Sequence, residues 1–392
     1  MQRMTSVGCH SDFSIGSDEP ANVRARASYN IGESQADLIE MEDEEKKTME
    51  DEVKKTNEAL LREIADLCKR EDRKTPEVIL LLGSTGVGKS SMVNTIIKAL
   101  TGKYFYRARS GRGLVGSVTL TFDWFDHCGI ATNDLQSLQQ KVIGDCWQQL
   151  PNIIDAGGMG GKDSPDIQEI LEVVLGGFIP PETSITHLQK LQSDNYVGYL
   201  KDKYNNCRKE WKVTKVVFVA TCSQMLPTDL VDVLQRTLKT FDPETGFLHY
   251  DVDVFIVITK CDLVQGMKRF PKAESKETIT AAQFKKTEQE IANVFNIKGV
   301  QKHTSINWMS YVGDSEDDPD IDNIALQFIK QMMQPKRQKN RIKLDTMPLI
   351  MRFKLMLKKF KTKTHFYQMC ALIVGIIAVV YVYIAISTPL KI

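Results

Sequence analysis

The clearest chemistry in this chain lies in Gly83-Ser84-Thr85-Gly86-Val87-Gly88-Lys89-Ser90, followed by Ser91. The spacing is G-x-x-x-x-G-K-[ST], set after an apolar run and before a helical pattern, which is the context a phosphate loop requires. Glycines let the backbone close tightly, so that its N–H groups point at phosphate oxygens. The N-terminus of the following helix adds a dipole that favours anions. Lys89 is placed to bridge the β- and γ-phosphates, and the Ser90 hydroxyl to ligate Mg²⁺. The competing reading is a mere glycine turn.

A second group, Thr259-Lys260-Cys261-Asp262, follows another apolar run about 170 residues later. It resembles the [NT]-K-x-D pattern that reads guanine. A carboxylate at Asp262 can accept hydrogen bonds from the guanine N1–H and exocyclic amine, a donor pair that adenine does not present. The Lys260 stem can pack along the base. Ser305-Ile306-Asn307 could supply one more contact to the base loop, or be a plain loop. These motifs predict GTP/GDP and Mg²⁺ as cofactors.

A γ-phosphate sensor of the form D-x-x-G has two candidates, Asp126 to Gly129 and Asp155 to Gly158. Asp155 is preferred, because a glycine-rich loop from a short apolar strand into a helix suits a switch. In that reading Asp155 holds Mg²⁺ through water and the Gly158 N–H meets the γ-phosphate, while Asp126 ends a hairpin. Thr119, Thr121 and Thr132 all stand where a switch threonine belongs. Thr119 is the choice, set against an ordinary strand threonine. The expected catalytic group is therefore Lys89, Asp155 and Gly158, and the metal group Ser90, Thr119 and Asp155.

The elements that must position these residues follow from the hydrophobic pattern. Continuous apolar runs at 78–82, 216–220 and 254–258 read as strands buried on both faces of a parallel sheet. Helical patterns at 90–100, 166–175, 227–240 and 280–294 separate them. The expected fold is α/β: a P-loop NTPase G domain with a doubly wound, mostly parallel sheet, an N-terminal helix and a C-terminal transmembrane helix. Residues 1–35 have no apolar periodicity and read as a disordered tail. Residues 36–74 read as a charged amphipathic helix, either packed on the next domain or forming a coiled coil with a partner. The P-loop domain covers 75–334.

Residues 335–365 carry eleven Lys or Arg and one acid, Asp345, interleaved with apolar residues, as in a basic amphipathic segment at a membrane surface. Residues 366–386 have no charge and at about 1.5 Å per residue span roughly 30 Å, the thickness of a bilayer core. The expectation is a single-pass tail anchor in a lipid bilayer. The basic flank and the N-terminal domain would face the cytosol, on endoplasmic reticulum, mitochondrial outer membrane or endosome.

Composition sets outer limits. The chain has 392 residues, 42% hydrophobic and 26% charged, which is ordinary globular usage. A net charge of +1 speaks against a nucleic-acid binder. The eight cysteines include no C-x-x-C pair, and the six histidines show no metal-ligand spacing. Cys261 reads as a spacer, and Arg107, Arg109 and Arg112 as solvated loop charges.

From about residue 77 to 333 the chain resembles the interferon-induced protein 44 family of GTP-binding proteins. The resemblance rests on the phosphate loop, on Leu150-Pro151 leading to Asp155, on ILEVVLGGFIP at 170–180, on KVVFVA at 215–220, on TKCD and on Asn307-Trp308 before an acidic run. It implies a guanine-nucleotide domain, a role in immune or stress response, and modest hydrolysis. The usual D-T-x-G is Asp-Ala-Gly-Gly here, and the C-terminal span is similar instead to tail-anchored members of the immunity-associated GTPase family. Met159 follows Gly158 where many GTPases have a water-orienting Gln, so turnover should be slow or partner-stimulated. A homo-oligomer through the G domain or the N-terminal helix is expected. The alternatives are a nucleotide-switched membrane scaffold or pseudo-GTPase, and an ATP-using P-loop enzyme.

Overall fold

The computed structural model describes residues 47–109, 121–157, 165–238, 252–264, 279–295, 305–311 and 317–335. The chain divides into two units, Met1–Lys55 and Thr56–Ile392. In the first, the described residues 47–55 are helical, and Lys54 reaches Asp51 at 3.5 Å. All that follows concerns the second.

Its frame is a six-stranded sheet in the order β2-β3-β1-β4-β5-β6. The strands are β1 (Val78–Leu82), β2 (Phe122–Phe125), β3 (Asn152–Ala156), β4 (Lys215–Thr221), β5 (Asp253–Thr259) and β6 (Ser305–Asn307). β2 runs antiparallel to β3, and every other pairing is parallel. The apolar runs form strands because both faces are covered. Val78, Leu80 and Leu82 join one core, and Ile79 and Leu81 join the other.

The helices are α1 (56–68), α2 (Lys89–Thr101), α3 (Ser137–Ile143), α4 (Pro165–Leu175), α5 (Ile185–Ser193), α6 (Tyr199–Lys203), α7 (Thr228–Leu238), α8 (Ala281–Val294) and α9 (Pro319–Met332). α4, α5, α7 and α8 cover one face of the sheet. α1, α2 and α9 cover the other. The connection leaving β1 therefore lies on one face, and those leaving its neighbours β3 and β4 lie on the other. That divergence opens a crevice at the C-terminal edge of the strands, where doubly wound sheets hold ligands.

α1 belongs to the core. Leu60, Leu61, Ile64, Ala65 and Cys68 are buried among α2 and α9 residues. Asn57 donates from Nδ2 to the Pro319 carbonyl at 2.7 Å, and Glu63 pairs with Lys330. Over 56–68 the apolar face is spent on the domain itself, so the packed-helix reading describes it and a coiled-coil seam does not.

Among the described residues no helix is long and apolar enough to cross a membrane. The expected tail at 1–35, the basic segment from 336 and the span at 366–386 lie outside the described residues.

Candidate functional site

The phosphate loop leaves β1 at the C-terminal edge beside β4. At Gly83 an added Cβ would stand 2.2 Å from the Val219 carbonyl oxygen, so only glycine fits. Gly88 takes φ 96 as it turns the chain into α2, again a glycine conformation. Lys89 is buried, and its ammonium donates to the carbonyls of Gly83 and Ser84, both at 2.9 Å. The loop thus closes around its own lysine. Burial depresses the Lys89 pKa, and the facing Asp155 carboxylate works against that shift.

Asp155 sits inside β3, level with Leu81 of β1 and opposite Asp123 of β2. The Ser90 hydroxyl donates to its Oδ2 at 2.5 Å. Burial pushes the Asp155 pKa up to about 6, opposed by Lys89 and Ser90 and reinforced by Asp123. Its Oδ1 is buried without a hydrogen-bond partner. An orphaned carboxylate oxygen beside a serine hydroxyl at a helix start fits a hard divalent cation, which takes oxygen ligands. Among the described residues no group of three His, Cys, Asp or Glu could hold a metal ion. Phosphate oxygens and water would complete the shell, as Mg²⁺ prefers.

Asp126 occupies the other end. β2 is antiparallel, so the turn Asp126–Gly129 lies beside the start of β3, where Cys128 N–H donates to Pro151 O at 2.7 Å. Gly158 and Thr119 lie outside the described residues, as do Met159 and Arg112. Thr121 is described, and its hydroxyl donates to Asp123 Oδ1. Thr132 starts a short 3-10 turn remote in sequence from the loop. Arg107 is tied down by both Asp134 oxygens at 2.7 Å and by the Gly129 carbonyl at 2.6 Å.

The base loop follows β5. Thr259 is buried, and its hydroxyl lies 2.5 Å from the Val87 carbonyl and 3.1 Å from that of Ala220. This contact joins the base loop to the phosphate loop across the sheet edge. Lys260 takes φ 61, rare for a side chain of its size, and its Nζ reaches Ser223 Oγ at 3.4 Å. Burial raises the Asp262 pKa, with Lys260 opposing. Cys261 is buried, its thiol pushed up to about 12 by burial, and it donates to the Ile258 carbonyl at 3.2 Å. That is a packed, unreactive thiol.

The third segment is placed by Trp308. Its N–H donates to Ile258 O at 2.7 Å, its carbonyl accepts from Cys261 N at 3.4 Å, and its ring packs edge-on against Phe328. Register puts Asn307 level with Ile258 at the edge, exposed, whereas Ser305 pairs with Ile256, deeper in the sheet.

Sequence reasoning missed several supports. Gln224 brings its Nε2 within 3.4 Å of where a Gly86 Cβ would stand. Buried Lys98 ties α2 to α9 through Asp322 at 2.8 Å and Tyr311 at 3.2 Å. Asp123 had one available signal, an acid within an otherwise apolar and aromatic run, Phe122-Asp123-Trp124-Phe125.

No family model matches the chain, and no curated protein matches it. Solved structures align with it at low similarity. A dimerization-deficient mutant of Toc33 from Arabidopsis thaliana is 13% identical, covering 71% of this chain and 91% of its own, with a TM-score of 0.37. The signal recognition particle receptor SRb-GTP/SRX complex from Chaetomium thermophilum is 13% identical, covering 66% and 98%, with a TM-score of 0.27. At these values the local geometry, rather than the likeness, carries the functional argument.

Proposed function

We propose that this chain is a membrane-anchored guanine-nucleotide-binding protein that binds GTP or GDP with Mg²⁺. The observation that carries the nucleotide reading is the joined edge of three strands. A lysine-filled phosphate loop, a Ser90–Asp155 pair with an orphaned oxygen, and a T-K-x-D loop hydrogen-bonded to Val87 converge there. Lys89 neutralises the β- and γ-phosphates, and loop N–H groups meet their oxygens. Ser90 and Asp155 hold the cation, which would offset charge developing on the γ-phosphate. Asp262 selects guanine over adenine.

Membrane attachment is inferred from the uncharged stretch at 366–386 and its basic flank, with the nucleotide domain on the cytosolic side. Two-dimensional confinement raises the effective concentration of protomers, which favours homo-oligomers through the G domain. The resemblance to the interferon-induced protein 44 family extends the reading to a switch in immune or stress response. Met159 after Gly158 supports slow, partner-stimulated hydrolysis.

The deciding experiment measures mant-GTP and mant-ATP binding to the full chain in detergent with Mg²⁺, beside Lys89→Ala and Asp262→Asn. The expected result is GTP binding that Lys89→Ala abolishes and that outcompetes ATP at least tenfold. Equal affinity for both nucleotides, unchanged in Asp262→Asn, would assign the site to an ATP-using enzyme. Alkaline extraction of membranes tests the anchor. The full chain should stay in the pellet and a chain ending at Gln334 should be released.

A further inference from the structure

The phosphate-loop edge carries a carboxylate that the usual parts of such a site do not require. Asp123 of β2 stands directly opposite Asp155 of β3 in the antiparallel register. Directly opposite residues point to the same face of a sheet, with Cβ atoms about 5 Å apart. That face is the α2 side, because Ile153, two residues before Asp155, and Phe125, two after Asp123, both pack in the core that α2 covers. Ser90 approaches from the same side, since its hydroxyl bonds Asp155. Asp123 is half-buried, and the Thr121 hydroxyl donating to its Oδ1 fixes how the carboxylate is turned.

Like charges directly opposite one another on a strand pair destabilise the sheet. Here one member of that pair, Asp155, is 1% exposed and keeps its Oδ1 without a hydrogen-bond partner. Lys89 supplies one positive charge against two carboxylates, and its donors already serve two carbonyls. A divalent cation would balance the pair and give the orphaned oxygen its partner.

We propose that Asp123 is a second carboxylate of the divalent-cation site, acting beside Asp155 directly or through a bound water. This deepens the nucleotide reading above and rests on it. Asp123 then raises the affinity for the cation rather than for the nucleotide. It is a residue of β2, so cation occupancy and the position of β2 become linked.

The test uses the full chain loaded with mant-GDP. Nucleotide release is followed at stepped free Mg²⁺ and in EDTA, for the natural sequence, Asp123→Asn and Thr121→Val. The expected result for Asp123→Asn is a Mg²⁺ midpoint at least tenfold higher, with the release rate in EDTA within twofold of the natural chain. Thr121→Val keeps the carboxylate but frees its rotation, and should move the midpoint in the same direction by a smaller factor. An unchanged Mg²⁺ midpoint in folded Asp123→Asn, checked by its circular dichroism, would overturn the proposal and leave Asp123 as a strand residue paired with Thr121. Should Asp123→Asn fail to fold, Asp123→Glu decides: a moved Mg²⁺ midpoint with an unchanged release rate in EDTA supports the role, and an unmoved midpoint refutes it. Failure of the natural chain to hold mant-GDP at any Mg²⁺ concentration would bring down the nucleotide reading itself. Retention that Mg²⁺ does not affect would bring down only the cation site, and Asp123 with it.

Discussion

The phosphate loop and the base loop face the same crevice, yet they are built in opposite ways. The phosphate loop closes on itself: Lys89 bonds carbonyls only six and five residues back. The base loop is held from afar. Thr259 bonds Val87 across 172 residues, and Cys261 N–H donates to the carbonyl of Trp308, just after β6. A self-closing loop can lose its ligand chemistry and keep its shape. A loop braced by distant carbonyls ties recognition to the packing of the whole sheet.

The sharpest test of that contrast is Lys89→Ala. It should weaken nucleotide binding by at least a thousandfold, since a charged donor to two phosphates is lost. Thermal stability in the absence of nucleotide should change little, because relief of the buried ammonium's desolvation offsets the loss of its bonds to the Gly83 and Ser84 carbonyls. A large fall in melting temperature would break the comparison.

Next in size is Asp262→Asn. An amide in place of the carboxylate turns an acceptor pair into a mixed one, which suits xanthine, with its C2 carbonyl, better than guanine. GTP affinity should fall by about a hundredfold, at about 1.5–3 kcal/mol per charged hydrogen bond, and XTP should bind better than GTP. Competition against mant-GDP reads both changes.

Asp155 gives a pH signature on the phosphate side. Its folded pKa of about 6 lies above the ordinary 3.8. Between those values the folded state holds more protons than the unfolded state, so stability falls as pH rises through this window and stays lowered above it. Without nucleotide or Mg²⁺, Asp155→Asn should be more stable than the natural chain at pH 7 by about 2–3 kcal/mol, at 1.36 kcal/mol per unit. The difference should close toward pH 4 in urea titrations. A constant difference across this range would place the cause elsewhere than ionisation.

The smallest effect belongs to Thr259→Val, which keeps shape and removes the hydroxyl that reaches Val87. Leaving that buried carbonyl without its partner should cost about 1–2 kcal/mol of stability and weaken GTP binding several-fold. Both quantities should change together, unlike in Lys89→Ala. A loss of affinity at unchanged stability would make the two loops alike.

Much of the frame was legible in the residues. The apolar runs at 78–82, 216–220 and 254–258 became β1 and the centres of β4 and β5, because strands buried on both faces need unbroken apolar sequence. α2, α4, α7 and α8 appear within a few residues of the helical patterns. The apolar and aromatic residues of 122–125 suit β2, but its antiparallel direction carries no local mark. Direction is what sends Asp126 to the far edge and sets Asp123 against Asp155. The stripe on 56–68 announced an amphipathic helix but not its partner, since buried leucines look the same against a neighbour's helix or its own domain.

Taken by itself, the sequence determined the patterns that depend on close spacing: a G-x-x-x-x-G-K-S loop with its lysine and serine, a T-K-x-D turn, and an uncharged C-terminal stretch. Short-range backbone geometry suffices for these, because the interacting groups lie within a few residues of one another. Tertiary structure alone decided which D-x-x-G aspartate meets Ser90, that the Thr259 hydroxyl locks the two loops together, and that two carboxylates share one face. Those pairings join residues 32 to 172 positions apart. They exist only once strand order and register have formed, and packing rather than local pattern selects that register.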